Sequence, residues 1–262
     1  MRERARGEGY ETLLVERSGD GFATITLNRP DKLNTLSLRL RQELAAATAA
    51  LEADAKVHVV ILTGAGRAFC AGLDLDEWGA TELPAAGSYV HDAVAALLQF
   101  TGPVIGAING FAVTGGVELA LACDLLIASN TARFADTHVC VGLLPGWGGS
   151  ARMVQRIGLA RAKELALTGR FLAADEALAW GFVNRVVAPD QLLPEAQGLA
   201  RQMLEGVPSA LRTYKRLLDD ESRVTLPEAL RMEREASMAS NVGVTRADID
   251  ARLARLRRRG QR

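Results

Sequence analysis

The run Val57-His58-Val59-Val60-Ile61-Leu62-Thr63 is apolar at nearly every position. A strand with one wet face alternates apolar and polar residues, because successive side chains point to opposite sides. A near-continuous apolar run therefore describes a strand covered on both faces, the condition met in parallel sheets flanked by helices. Val104–Ile108 repeats the pattern, and Leu125–Ala128 follows it. Between these strands, Ser37–Ala53 shows helical spacing through Leu38, Leu40, Leu44, Ala47 and Leu51, and Tyr89–Phe100 reads as a second helix. Strands alternating with helices over short loops predict an α/β core with much of its sheet parallel.

The chain opens differently. Tyr10–Arg17 and Gly21–Asn28 read as two strands joined by Ser18-Gly19-Asp20, a hairpin. After Pro145 the pattern turns mostly helical, with helices expected over Gly149–Ile157, Ala160–Thr168, Ala173–Trp180, Leu192–Glu205, Pro208–Asp219 and from about Leu226 onward. With 262 residues, 48% of them hydrophobic, the chain can bury one large core, alone or with a small helical appendage. The spans expected are a frayed arm over 1–9, an α/β core over 10–195 and a helical region over 196–262.

Charge narrows the partners. Thirty-one basic residues balance thirty-one acidic ones, so no global field calls for nucleic acid or an anionic membrane. The apolar stretch Val104–Ser129 contains Glu118 and Asp124, which a membrane span would have to hide in hydrocarbon; it reads as buried globular structure. Cys70, Cys123 and Cys140 are odd in number and lack paired short spacing. With no signal-peptide pattern, they predict a reducing cytoplasm and neither a disulfide framework nor a zinc site.

Three loops follow strands on one edge of the expected sheet, where open α/β folds bind ligands. They are Asn28–Leu36, Gly66–Asp76 and the Gly115-Gly116 turn. Glycines at a helix start let a ligand approach the backbone, and free N–H groups there bind a developing oxyanion. Glu118 follows about one turn into that helix. A proton-transfer group beside an anion hole is the minimum equipment for chemistry next to a carbonyl.

Here the sequence resembles the crotonase family, the enoyl-CoA hydratase/isomerase superfamily, over about Tyr10 to Leu218. The matching strings are Ile25-Thr26-Leu27-Asn28-Arg29-Pro30, Ala68-Phe69-Cys70-Ala71-Gly72-Leu73-Asp74-Leu75 and Asn109–Leu119, then Leu144–Gly149, Thr168-Gly169-Arg170, Ala174–Ala177 and Trp180–Val183. The resemblance implies a ββα spiral core with a helical C-terminal region, and an enzyme acting on acyl-CoA, most simply by reversible hydration of a trans-2-enoyl-CoA. Isomerisation, decarboxylation or acyl-CoA binding without turnover are the alternatives. It implies an oxyanion hole from the N–H groups of Leu73 and Gly115, with CoA and substrate along Asp31, Lys32, Leu33, Ala71, Gly72, Asp74, Leu75 and Gly116. Trp147 stands where many relatives have a small residue, so it narrows the acyl pocket or simply fills the core. No metal or redox cofactor is implied, since the substrate carries its own coenzyme A. A trimer, often paired into a hexamer, is the implied assembly.

Hydratases of this family use two glutamates. The first maps to Glu118; the second, counted without a gap through Phe134-Ala135-Asp136-Thr137, maps to His138. Three roles compete for His138: replacing the glutamate as acid/base, orienting water or substrate while Glu118 acts alone, or serving structure only. Strand alternation would put Asp136 on the same side, where it contacts the imidazole or adds a carboxylate of its own. Downstream, Leu226–Ser240 lacks the aromatics many relatives carry, and six arginines fall among the last eleven residues. Ile249, Leu253 and Leu256 form a helical stripe there, which reads as an amphipathic docking or solvated helix.

Overall fold

The computed structural model describes residues 9–79 and 93–259. The N-terminal arm before Gly9 and the start of the helix expected over Tyr89–Phe100 lie outside the described residues. The strands are β1 (Leu13–Arg17), β2 (Phe22–Leu27), β3 (Val59–Gly64), β4 (Ala68–Cys70), β5 (Val104–Ile108), β6 (Phe111–Val113), β7 (Leu125–Ser129), β8 (Arg133–Ala135), β9 (Leu172–Ala173) and β10 (Arg185–Val187). The helices are α1 (Leu38–Ala53), α2 (Leu75–Gly79), α3 (Ala93–Leu98), α4 (Gly115–Leu121), α5 (His138–Val141), α6 (Gly149–Ile157), α7 (Leu159–Thr168), α8 (Ala174–Ala179), α9 (Leu192–Leu204), α10 (Pro208–Glu221), α11 (Leu226–Asn241) and α12 (Arg246–Arg259).

The strands make two sheets. One runs β1-β2-β3-β5-β7-β10, antiparallel only at the opening hairpin; the other runs β4-β6-β8-β9, with β9 antiparallel. Each of the pairs β3/β4, β5/β6 and β7/β8 places its first strand in the larger sheet and its second in the smaller, then leads into a helix. This repeat is the ββα spiral. The apolar runs behave as their sequence requires: β5 is buried throughout and β3 up to Gly64, and α9 packs on β3, β5 and β7.

α1 begins where its cap residue allows. Ser37 is extended, and its Oγ accepts from Leu40 N at 3.2 Å, a cap contributing about 1 kcal/mol. Leu40, Leu44, Ala47 and Leu51 are buried as the helical spacing predicts, whereas Leu38, the first helical residue, is 42% exposed. The short strands β4, β6, β9 and β10 are too brief to show alternation, and β4 falls inside the loop expected over Gly66–Asp76. The short strand β8 covers Arg133–Ala135, the span the sequence predicts. Strand alternation does not extend to His138, which is the first residue of α5.

Contacts divide the chain into two compact units, Met1–Pro208 and Ser209–Arg262. The second holds nearly all of α10 together with α11 and α12, the last two separated at Val242–Thr245. Within it, Thr213, Leu217 and Asp220 of α10 face Met232 and Ala236 of α11 across a shallow groove.

Candidate active site

The three loops read from the sequence do converge, and side-chain amides bind two of them together. Asn34 Oδ1 accepts from Arg29 N at 2.8 Å, while its Nδ2 donates to the carbonyls of Ala65 and Ala68 at 2.9 and 2.8 Å. Asn109 Oδ1 accepts from Gly64 N at 3.1 Å. Arg29 also donates to Asp74 at 2.8 Å, linking the loop after β2 to the loop after β4. The Asp74 carboxyl is pushed up by burial, but the Arg29 guanidinium and its hydrogen bond outweigh this and leave it below the usual range.

The turn Pro30–Lys32 places Asp31 and Lys32 at the surface, with Leu33 half-buried in the left-handed region at φ 51°. Lys32 Nζ pairs with Asp76 at 3.0 Å, both side chains well exposed. Leu75 is exposed and Ala71 half-buried. The resemblance places the CoA arm along these positions.

The loop Ala71-Gly72-Leu73 lies against the start of α4. Gly72 has φ +94°, and a β-carbon on it would sit 3.1 Å from the Val113 carbonyl and 3.4 Å from Gly115 N. Leu36 N donates to the Gly72 carbonyl at 2.7 Å, and Leu36 and Leu73 form a parallel bridge. A β-carbon on Gly116 would lie 1.9 Å from the Cys70 carbonyl oxygen. Only glycine lets α4 begin this close to the end of β4. The backbone of Gly115 and the backbone around Leu73 are thereby brought together.

Glu118, one turn into α4, is buried, and its two oxygens face different neighbours. Oε1 accepts from Trp147 N at 2.8 Å and Gly149 N at 3.0 Å, holding the loop that starts α6. Oε2 lies 3.8 Å from Nε2 of His138. Burial raises the carboxyl above its ordinary range, opposed by the two amide donors and by His138. The imidazole is held from behind, with Nδ1 2.6 Å from Asp136 Oδ1. Asp136 and His138 are both buried. Of the two roles strand alternation left open for Asp136, the structure shows the contact with the imidazole, made in the segment after β8: His138 N also donates to Asp136 Oδ1, at 3.3 Å. The Oγ1 atoms of Thr114 and Thr137 meet at 2.5 Å, tying that turn to the residue before α4.

The sequence profile of the Enoyl-CoA hydratase/isomerase family matches residues 17–244. The chain belongs to the enoyl-CoA hydratase/isomerase family. It is 42% identical over 228 residues to a probable enoyl-CoA hydratase of Rhizobium meliloti, with 86% of this chain and 88% of that protein aligned. It is 39% identical over 232 residues to a probable peroxisomal enoyl-CoA hydratase of Arabidopsis thaliana, with 88% of each covered. A crystal structure of enoyl-CoA hydratase from Bacillus anthracis superposes with a TM-score of 0.85 at 36% identity, covering 95% of this chain and 97% of that one.

Burial and contacts place two residues that composition and spacing left ambiguous. Trp147 is 8% exposed, and its ring edge lies 3.2 Å from where a Gly115 β-carbon would stand, with Leu36 at 3.5 Å from the same point. Those two side chains wall the start of α4. Cys70 is fully buried, which pushes its thiol up to about 12 and leaves it a packing residue. Arg29, Asn34, Thr114 and the N–H donors at Trp147 and Gly149 carry structure around the site that sequence reading missed. Arg29 and Asn34 lay beside motif residues and were legible there, but nothing in the string betrays the φ of +54° at Thr114.

Proposed function

We propose that the protein adds water reversibly across the double bond of a trans-2-enoyl-CoA. The observation that carries this reading is the approach of His138 Nε2 to Glu118 Oε2 at 3.8 Å, on the helix that begins at Gly115. Isomerisation and decarboxylation of an acyl-CoA need one proton shuttle; hydration profits from two groups, one to hold the water and one to return a proton. Two acceptors at that spacing subtend roughly 85° at a water oxygen about 2.8 Å from each, a geometry a single water can satisfy with its two hydrogens.

The steps balance without a redox partner or metal. The water oxygen bonds to C3 of the enoyl group as one of its O–H bonds breaks, and the Glu118/His138 pair takes that proton. The electron pair of the C2=C3 bond moves onto the thioester as an enolate, whose oxygen sits at the N–H groups of Leu73 and Gly115. Donors preorganised at that charge contribute about 3–4 kcal/mol each in a dry site. The pair then delivers a proton to C2 and ends the cycle as it began. CoA enters with the substrate, over the rim of Asp31, Lys32 and Leu33.

The family resemblance also supports a homotrimer or a hexamer built from trimers. Leu226, Leu230, Met238 and Val242 of the C-terminal unit present apolar surface that such packing would cover. Three free thiols fit a reducing cytoplasm. Among the described residues no helix is long and apolar enough to cross a membrane.

Purified protein incubated with crotonyl-CoA tests the activity. Hydration removes the enoyl chromophore and yields the 3-hydroxyacyl thioester. Retention of the chromophore with exchange of label from deuterated water would point to isomerisation instead. Tight binding with neither change would mark an acyl-CoA-binding protein.

A further inference from the structure

We infer that Asp136 is a positioning residue that fixes the His138 imidazole as the Nδ1–H tautomer, so that Nε2 presents its lone pair to the space shared with Glu118. The inference rests on the hydration reading for its kinetic consequence and on geometry alone for the tautomer. Asp136 Oδ1 lies 2.6 Å from Nδ1, a short N–H···O contact of the kind an ionised acceptor favours. A carboxylate oxygen only accepts, so the bond requires the ring proton on Nδ1. The same oxygen takes the His138 backbone N–H at 3.3 Å, which fixes carboxylate and ring to one short turn. Neither group is free to swing, because both are buried and the turn between them is tied to Thr114 through Thr137 Oγ1.

Nε2 is then the one ring nitrogen facing Glu118. In the opposite tautomer Nε2 would be a donor, Nδ1 would place a lone pair against the Asp136 carboxylate, and the imidazole could not accept a proton from water. The arrangement follows the logic by which a buried carboxylate orients a catalytic imidazole through its far nitrogen. Here the nucleophile is a water rather than a side chain.

Two measurements test this. Solid-state nitrogen NMR of histidine-labelled wild-type protein, with the His138 signal identified by its loss in His138→Gln, reads the tautomer directly. The neutral ring is expected to carry its proton on Nδ1; a proton on Nε2 overturns the inference. In the second arm, Asp136→Asn should lower kcat for enoyl-CoA hydration by on the order of 10²–10⁴-fold. KM should stay within about threefold, because the residue touches neither CoA nor the enolate oxygen. A folded Asp136→Asn protein that keeps kcat within about twofold of wild type overturns it as well. Wild-type protein that hydrates no enoyl-CoA defeats the hydration reading and leaves the NMR result to decide the tautomer.

Discussion

Nε2 of His138 lies 3.8 Å from Oε2 of Glu118, too far for a direct hydrogen bond and near enough for both atoms to touch one water. Glu118 has two jobs that its oxygens divide. Oε1 fixes the backbone at Trp147 and Gly149, and Oε2 faces the imidazole. A carboxylate serving only as a cap would not need its second oxygen aimed at a buried histidine.

Glu118→Gln separates those jobs. The amide oxygen can still accept from Trp147 and Gly149, so the fold should hold, while the nitrogen that replaces Oε2 cannot take a proton. The expected result is a melting temperature within a few degrees of wild type and kcat for crotonyl-CoA hydration lower by about 10²–10⁴-fold. Steady-state kinetics beside a thermal melt would read both, and near-normal turnover would remove Glu118 from the chemistry.

The same residue gives stability a pH dependence of known sign. Burial raises the Glu118 carboxyl in the folded state, above an unfolded value of about 4.3. Between the two values the folded protein holds a proton that the unfolded chain releases. Its stabilising contribution is therefore complete below about pH 4 and declines as pH rises through the folded value. Gln mimics the protonated form. The melting temperature of Glu118→Gln relative to wild type should therefore rise across that window, in scans from about pH 4 to 8; a relative fall would reverse the assignment.

Much of this was legible in the sequence, for identifiable reasons. Long apolar runs such as those of β3 and β5 announce doubly covered strands, and α1 declares itself through Ser37 and its buried leucines. Most of the second sheet was hidden because β4 and β6 are three residues each and β9 only two, too short for periodicity, although the short strand at Arg133–Ala135 was legible. Glu118 and His138 were found through the family resemblance, while the geometry between them depends on the break between β8 and α5 at Asp136-Thr137, which strand alternation does not describe. The positive φ at Leu33 and Thr114 had no signal, since neither residue favours it, whereas Asn34 is of a type that adopts it readily.

Gly116 tests how closely α4 must approach β4. A methyl at that position would meet the Cys70 carbonyl at 1.9 Å, backbone against helix start, with no flexible side chain to yield. Gly116→Ala should cost about 3 kcal/mol or more, a drop of roughly 6–12 °C in melting temperature for a chain of this size. An unshifted melt would show that the two loops separate easily, and with them the Leu73 and Gly115 donors.

Arg29→Met probes the link between the two binding loops. It takes the guanidinium from the buried Asp74 carboxylate, held at 2.8 Å in the native protein, and leaves it Thr35 Oγ1 and Glu77 N as donors; the change should destabilise by about 2 kcal/mol, less than a fully buried pair because Arg29 is partly exposed. Since both loops line the expected CoA path, KM for crotonyl-CoA should rise several-fold while kcat changes little. A loss confined to kcat would move the effect from binding to the reacting centre.

Trp147 bears on which acyl chains fit. Its ring lies against Gly115 at the start of α4, opposite Leu36, so bulk there limits the space next to the reacting carbons. Trp147→Leu shortens the side chain while leaving the backbone N–H that Glu118 accepts. Removing this much buried aromatic surface costs about 2–4 kcal/mol of stability, so the comparison belongs at a temperature well below the melt. The ratio of kcat/KM for an eight-carbon over a four-carbon enoyl-CoA should rise by roughly 10-fold or more, the scale that a few methylenes contribute in an apolar pocket. If the ratio holds constant while both rates fall together, Trp147 is a core residue that supports Glu118 through its backbone alone.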